Sequence, residues 1–307
     1  MKNLKNTLFV LVVVGLIFWI MAVPKKVSDS KDANISKPTV SLSTFALWDI
    51  TKHIAGKSIN VVMILPFGSE VHSFEPTPKL MAKILKSDLV VYSGAGLEPW
   101  CERFDFGGRV VNMSKYVTLK KLHNHHHKGL HTSYDPHYWL DIQNMIKATK
   151  VITKELVKIS PKNKDLYIKN EQNYIDMLKK LDNEYKKTLS SCQKHTIIVN
   201  HNAFSYMAAN YGFGVKSING LSADAQPNAK NMIELIKELK EHNISTVFYE
   251  SFASDKVART IAKETNATVD TLQPLANITA DEAKKQLSFE DLMRINLKKL
   301  SKALKCQ

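Results

Sequence analysis

Cysteine is scarce: the 307 residues include three, Cys101, Cys192 and Cys306. Single, widely separated cysteines exclude a zinc module built on paired thiolates. In an oxidising compartment they allow at most one intrachain disulfide and leave an odd thiol. No H-E-x-x-H segment occurs, so the metal-binding helix of zinc proteases is absent. The stretch HIAGKS, ending at Ser58, has the tail of a phosphate-binding loop, but Thr51 stands where that loop needs its first glycine. Gly56 reads instead as the cap that ends a helix. Also missing is any block in which basic and aromatic residues stand together. The net charge of +14 is spread over lysines interleaved with acids, as in NMIELIKELKEHN. That pattern describes a solvated lysine-rich surface rather than a nucleic-acid footprint.

What is present is ordinary globular composition, 44% hydrophobic and 23% charged, in a length that suits two domains. At the N-terminus, Lys2 and Lys5 precede TLFVLVVVGLIFWIMAV, seventeen residues without a charge. A positive stretch before an apolar run is an export signal. Residues 1–23 are therefore expected to be a signal peptide or signal anchor, followed by a polar linker over 24–37. No small-x-small cleavage site stands out and no cysteine follows the run to accept lipid. A retained segment would tether the chain to the inner membrane.

Short β-branched runs then alternate with helical patterns, twice over. The first set is 39–45, 59–65, 88–93 and 109–113, with helical stretches at 77–87 and 140–159. The second is 196–200, 215–219, 245–250 and 267–272, separated by helical stretches at 202–211, 228–243 and 254–265, with a last helix over 281–304. Strands alternating with helices of this length indicate βα units and parallel sheets. The fold class is α/β in two lobes, 38–159 and 192–307. Between them, 160–191 reads as one helix, with Ser160 as its N-cap and Pro161 at its first position. Leu166, Tyr174, Met177, Leu178, Leu181 and Tyr185 form its apolar stripe. At about 30 residues it would be about 45 Å long, a rod spanning both lobes.

Histidine carries the chemistry. HNHHHKGLH places five, His123, His125, His126, His127 and His131, within nine positions. Imidazole is the commonest zinc ligand, yet so polar a stretch lacks the rigid spacing of a tight site. Three others stand at strand ends or helix starts: His72 in GSEVHSFEPTP, His137 in DPHYWLD and His201 in VNHNAF. Open α/β sheets bind ligands at the carboxyl ends of their strands, so these three would face a cleft between lobes. Only the tertiary fold could join residues 65 and 64 positions apart.

The contexts GSEVHSFEPTP, DPHYWLD and VNHNAFSYMAANYGF resemble, in this order, the zinc- and manganese-binding family of substrate-binding proteins of bacterial ABC importers. Within it they are most similar to high-affinity zinc uptake proteins of the ZnuA type. The resemblance runs from about residue 38 to the C-terminus and takes in GAGLEPW, the long helix and FYESFAS. It implies two α/β lobes joined by one rigid helix, with the metal in the cleft. His72 and His137 would be ligands from the first lobe, and His201 the ligand from the second. Three neutral imidazoles suit Zn²⁺, where a manganese site would exchange one for a carboxylate.

The chain departs from the family at the fourth ligand. Gln273 of TLQPL stands where the family's L-D-P-L carries aspartate. Water or the Gln273 amide is expected there, with Glu250 a further candidate; Glu70 lies two residues before His72 rather than beside it. The resemblance places the 123–131 cluster at the cleft mouth, as a weak, fast-exchanging collector of zinc. It implies a periplasmic, monomeric, non-enzymatic carrier that hands Zn²⁺ to an inner-membrane permease driven by a separate ATPase. The alternatives are a manganese importer component and, in another class, a zinc hydrolase with three histidines and an open position. Cys192, just before the first strand of the second lobe, and Cys306, at the end of the last helix, are expected to pair and leave Cys101 free.

Overall fold

The computed structural model describes residues 37–106, 109–122, 134–219, 229–251 and 254–307. The N-terminal segment and the histidine cluster lie outside them. Two four-stranded sheets, each wholly parallel, organise the chain. The first contains β1 (Thr39–Leu42), β2 (Asn60–Met63), β3 (Leu89–Tyr92) and β4 (Arg109–Asn112) in the order β2-β1-β3-β4. The second repeats the plan with β5 (Thr196–Val199), β6 (Gly214–Ser217), β7 (Thr246–Tyr249) and β8 (Thr268–Thr271) in the order β6-β5-β7-β8. All eight strands fall within or beside the expected runs. The central ones, LVVY and TIIV, are buried almost throughout, as strands covered on both faces must be. In each sheet the order reverses beside the first strand, which opens a crevice at the carboxyl ends.

Helices α1 (Phe45–Ala55), α2 (Pro78–Ile84) and α3 (Ile142–Ile159) belong to the first lobe. Gly56 ends α1 with φ 55°, its N–H bonded to Lys52 O. Thr77 caps α2 and Asp141 caps α3 through their side chains. The connecting helix, α4 (Lys164–Leu189), is shorter than the sequence suggests. Ser160 closes α3 instead of opening α4, and Pro161–Asn163 form a separate 3₁₀ turn. At 26 residues α4 is about 39 Å long. Its buried stripe also differs: Leu166 is 45% exposed, and Tyr167, one heptad before Tyr174, takes the inward place. Tyr174 Oη donates to Asp49 Oδ2 of α1 at 2.8 Å, and Tyr185 Oη donates to Met293 O at 2.6 Å. The rod is thus bonded to the first lobe and to the last helix.

The second lobe adds α5 (Ser205–Tyr211), α6 (Ala229–Glu241), α7 (Lys256–Lys263), α8 (Ala280–Lys284) and α9 (Phe289–Leu304). The single last helix expected over 281–304 is two. Gln286 takes φ 54° between them, and each half starts with a reciprocal cap, Thr279 with Glu282 and Ser288 with Asp291. At the far end Cys192 is joined to Cys306, and the backbone pairs there too, Lys194 N–H to Leu304 O at 2.9 Å. Cys101 is a buried free thiol. No helix of the described residues is long and apolar enough to cross a membrane.

Asp49 also meets His53 Nδ1 at 3.3 Å and accepts from Phe289 N–H at 3.2 Å. The hydrogen bond to Asp49 outweighs burial and raises His53 to about 9. A histidine raised in the folded state stabilises it fully below its unfolded pKa, near 6.5, and loses that contribution as pH climbs through about 9. The side chain is 47% exposed, so solvent screens much of the effect. Thermal melts from pH 6 to 10 should show His53→Gln losing less stability than the parent over that interval. Parallel profiles would remove His53 from the account.

Candidate metal centre

Each candidate histidine is delivered by a different kind of element. His72 lies in the loop between β2 and α2. His137 precedes the 3₁₀ turn Tyr138–Leu140, and His201 follows the carboxyl end of β5. The fold brings the three together. His137 Nε2 lies 3.2 Å from His72 Nε2 and 3.4 Å from His201 Nε2, and all three donor atoms fit within 4.8 Å of one another. Zn–N bonds of about 2.0–2.1 Å at tetrahedral angles put neighbouring donors about 3.3–3.4 Å apart, so the two spacings about His137 suit a zinc centre. No carboxylate or thiolate among the described residues belongs to the cluster. His137 and His201 are 1% and 2% exposed, whereas His72 is half-buried, so the centre opens on the His72 side.

Two carboxylates stand behind the imidazoles. Asp135 Oδ1 accepts from His137 Nδ1 at 2.8 Å and from its backbone N–H at 3.0 Å, while Oδ2 accepts from Ser205 Oγ. Glu250 Oε1 sits against His201 Nδ1. With a carboxylate on Nδ1, each ring turns its Nε2 lone pair to the centre, which is how outer partners orient metal-binding histidines. Burial first, then the two facing imidazoles, pushes His72 down to about 3. Burial also holds His137 below its ordinary value, against the pull of Asp135. Burial would lower His201 too, but Glu250 outweighs it and the net shift is upward. Burial would raise the Asp135 carboxyl, yet the bonds from His137 and Ser205 hold it low.

The fourth-ligand candidates are engaged elsewhere. Gln273 donates its amide to Glu282 Oε2 at 2.8 Å, and its Oε1 accepts from Leu275 N–H at 3.5 Å. Glu250 is the partner of His201 rather than a member of the cluster, and Glu70 accepts from His72 N–H at 3.0 Å. Asp135 was the residue that sequence reasoning passed over. Its signal was local: in D-P-H, an Asx side chain two residues upstream can bond forward to the histidine N–H. The feet of the 123–133 segment stand beside this aspartate. Lys121 bridges to Tyr134, Asp135 N–H bonds to Lys120 O at 2.9 Å, and Tyr206 Oη links Lys120 N–H to Asp135 O, both at 2.8 Å.

The model of the family described as zinc-uptake complex component A, periplasmic, matches residues 40–303. The chain belongs to the ZnuA family. High-affinity zinc uptake system protein ZnuA of Bacillus subtilis is 34% identical over 90% of both chains. Zinc-binding lipoprotein AdcA of Streptococcus pneumoniae is 31% identical over 89% of this chain, which spans 57% of that longer protein. The Zn(II)-bound ZnuA-like domain of pneumococcal AdcA superimposes with a TM-score of 0.75 at 30% identity, covering 88% of this chain and 99% of the domain. The laminin-binding protein Lmb of Streptococcus agalactiae, described as having adhesin and metal transporting activity, gives 0.79 at 32% identity, covering 88% of this chain and all of that one. The fold shared with them is the two-lobed one of ZnuA-type proteins, and these relatives are described by zinc uptake, zinc binding or metal transport rather than as enzymes.

Proposed function

We propose that the chain is the substrate-binding component of a zinc importer. It holds one Zn²⁺ on His72, His137 and His201 and hands it to a membrane permease driven by a separate ATPase. The observation that carries the reading is the approach of the His72 and His201 Nε2 atoms to His137 Nε2 at zinc distances, with His137 and His201 backed by carboxylates. An all-imidazole set favours zinc over manganese, which prefers a harder, oxygen-rich site. Water completes the tetrahedron on the open His72 side. The division 38–159, 160–191 and 192–307 follows, with the cargo between the lobes. In this reading the chain works on the outer side of a cytoplasmic membrane, free or held by residues 1–23. Titration against a competing chelator should give one tight zinc equivalent that manganese displaces poorly. Equal affinity for the two metals would sink the assignment of cargo.

The partner carboxylate should matter nearly as much as a ligand. Asp135→Asn keeps the shape but loses the anion that fixes the His137 tautomer, so zinc affinity is expected to fall by about 10–100-fold. An unchanged dissociation constant would show that the ring needs no such partner.

The cluster at 123–131 is assigned the accessory role of a weak zinc collector. Deleting it should remove the weaker zinc equivalents and leave the tight one. Loss of the tight equivalent would transfer the primary site to that segment.

A further inference from the structure

The two first-lobe ligands are braced by a segment that comes from the second lobe. After β8 the chain turns back across the cleft as Gln273–Ile278. Its start is fastened by Asn296, whose side chain pairs with both backbone groups of Gln273, at 3.0 and 2.7 Å. Beyond Gln273, its hydrogen bonds to other segments run into the first lobe. Pro274 O accepts the indole N–H of Trp139 at 2.7 Å, and that indole packs edge-on against His137, with 5.5 Å between ring centroids. Ala276 O accepts from Phe45 N–H at 2.8 Å. Asn277, fully buried, donates its amide to Pro66 O at 2.7 Å and Ser69 O at 2.9 Å, while Gly68 N–H bonds to Ile278 O at 2.9 Å. Residues 66–69 begin the loop that ends on His72.

This contact has the marks of a positioning device. Leu275, buried and bulky, holds φ 60°, a conformation that costs energy and persists only where surroundings impose it. The His72 loop contains no strand or helix between Met63 and Pro78. Its turn at Pro66–Ser69 therefore depends on its backbone partners for its place. One side chain bonds two of those carbonyls, so removing it takes away two of the three bonds from the strap to the turn without touching a ligand; Gly68 N–H to Ile278 O and the turn's own Ser69 N–H to Pro66 O remain.

We propose that Asn277 is a positioning residue of the metal centre: it holds the His72 loop where His72 Nε2 reaches ligand distance from His137. The inference rests on the zinc-carrying reading above and adds to it the means by which one lobe sets the other's ligand. It also locates a control point, because separating the strap from residues 66–69 would withdraw His72 first.

The test is a double-mutant cycle on the full chain. Zinc affinity and release rate are measured by chelator competition for the parent, Asn277→Ala, His72→Ala and the pair, with metal-free melting temperatures alongside. Asn277→Ala is expected to weaken zinc at least about tenfold and speed its release, the scale of losing an outer-shell partner. In the His72→Ala background the same change should do nothing further, which a general loss of stability would not reproduce. The visible spectrum of bound Co²⁺ should shift in Asn277→Ala and not in Tyr174→Phe, which loosens the α1–α4 contact away from the centre. Asn277→Ser, able to keep one of the two bonds, should lie between parent and Ala, and serves where Ala does not fold. An affinity within about threefold of the parent, or an equal loss in the His72→Ala background, overturns the inference. A His72→Ala chain that keeps full affinity overturns the site assignment instead, so the two failures are distinct.

Discussion

Zinc binding is expected to collapse when His201 is replaced by alanine. His201 supplies the only imidazole that the second lobe contributes to the cluster, so its loss leaves two donors on one wall of the cleft. It also strands Glu250, whose Oε1 then faces the vacated space without its Nδ1 partner. Outer-shell changes alone cost about 10–100-fold, so removing the ligand should exceed about a hundredfold. His137→Ala should match it, since His137 Nε2 lies within 3.4 Å of both other donors and anchors the set. Titrations of the three single variants and the triple variant decide the matter. One tight equivalent surviving in the triple variant would end the assignment.

The second large effect concerns stability rather than binding. Cys192 and Cys306 close a loop with a sequence separation of 114 residues, nearly the whole second lobe. In the chain-entropy account a loop of that length is worth about 3–5 kcal/mol through the unfolded state. Cys192→Ser should lower Tm by about 8–15 °C in calorimetry without reductant, and reductant should bring the parent to the same value. Zinc affinity should hold in the melted-down variant at 25 °C. The bond lies before β5, and His201 follows the strand's other end. A shift of under about 2 °C would mean that the pairing at Lys194 and Leu304 secures that end unaided.

Much of the fold could be read from the residues because its signals are local. Runs such as LVVY and TIIV announce buried parallel strands, and the histidines that follow strands or precede helices mark the ligand end of each sheet. The interruption at 285–288 was also written locally, in two S/T-x-x-D/E caps, but a continuous helical period concealed it. Ser160-Pro161 misled in the opposite way, since a helix start signal there serves a 3₁₀ turn. What could not be read were the partners that only tertiary structure selects. Glu250 lies 49 positions from the ring it backs, and Asn277 bonds to carbonyls more than 200 residues earlier. Gln273 shows the limit most plainly. Its place in the sequence pointed to the metal, whereas its hydrogen bonds run to Glu282 at the start of α8 and to Asn296 inside α9.

The pair of carboxylates behind the imidazoles settles an apparent contradiction in charge. A chain of net +14 should repel a dication at long range. Salt confines that repulsion to about 8–10 Å, whereas Asp135 and Glu250 stand behind the imidazoles proposed to hold the cation. Their negative charge opposes the positive charge of the proposed cargo, and Glu70 adds its field at His201. The proposed centre is thus backed by carboxylates at close range inside a chain of net positive charge. A dication gains more from those carboxylates than a monovalent ion does, and gains it within the range that salt leaves unscreened.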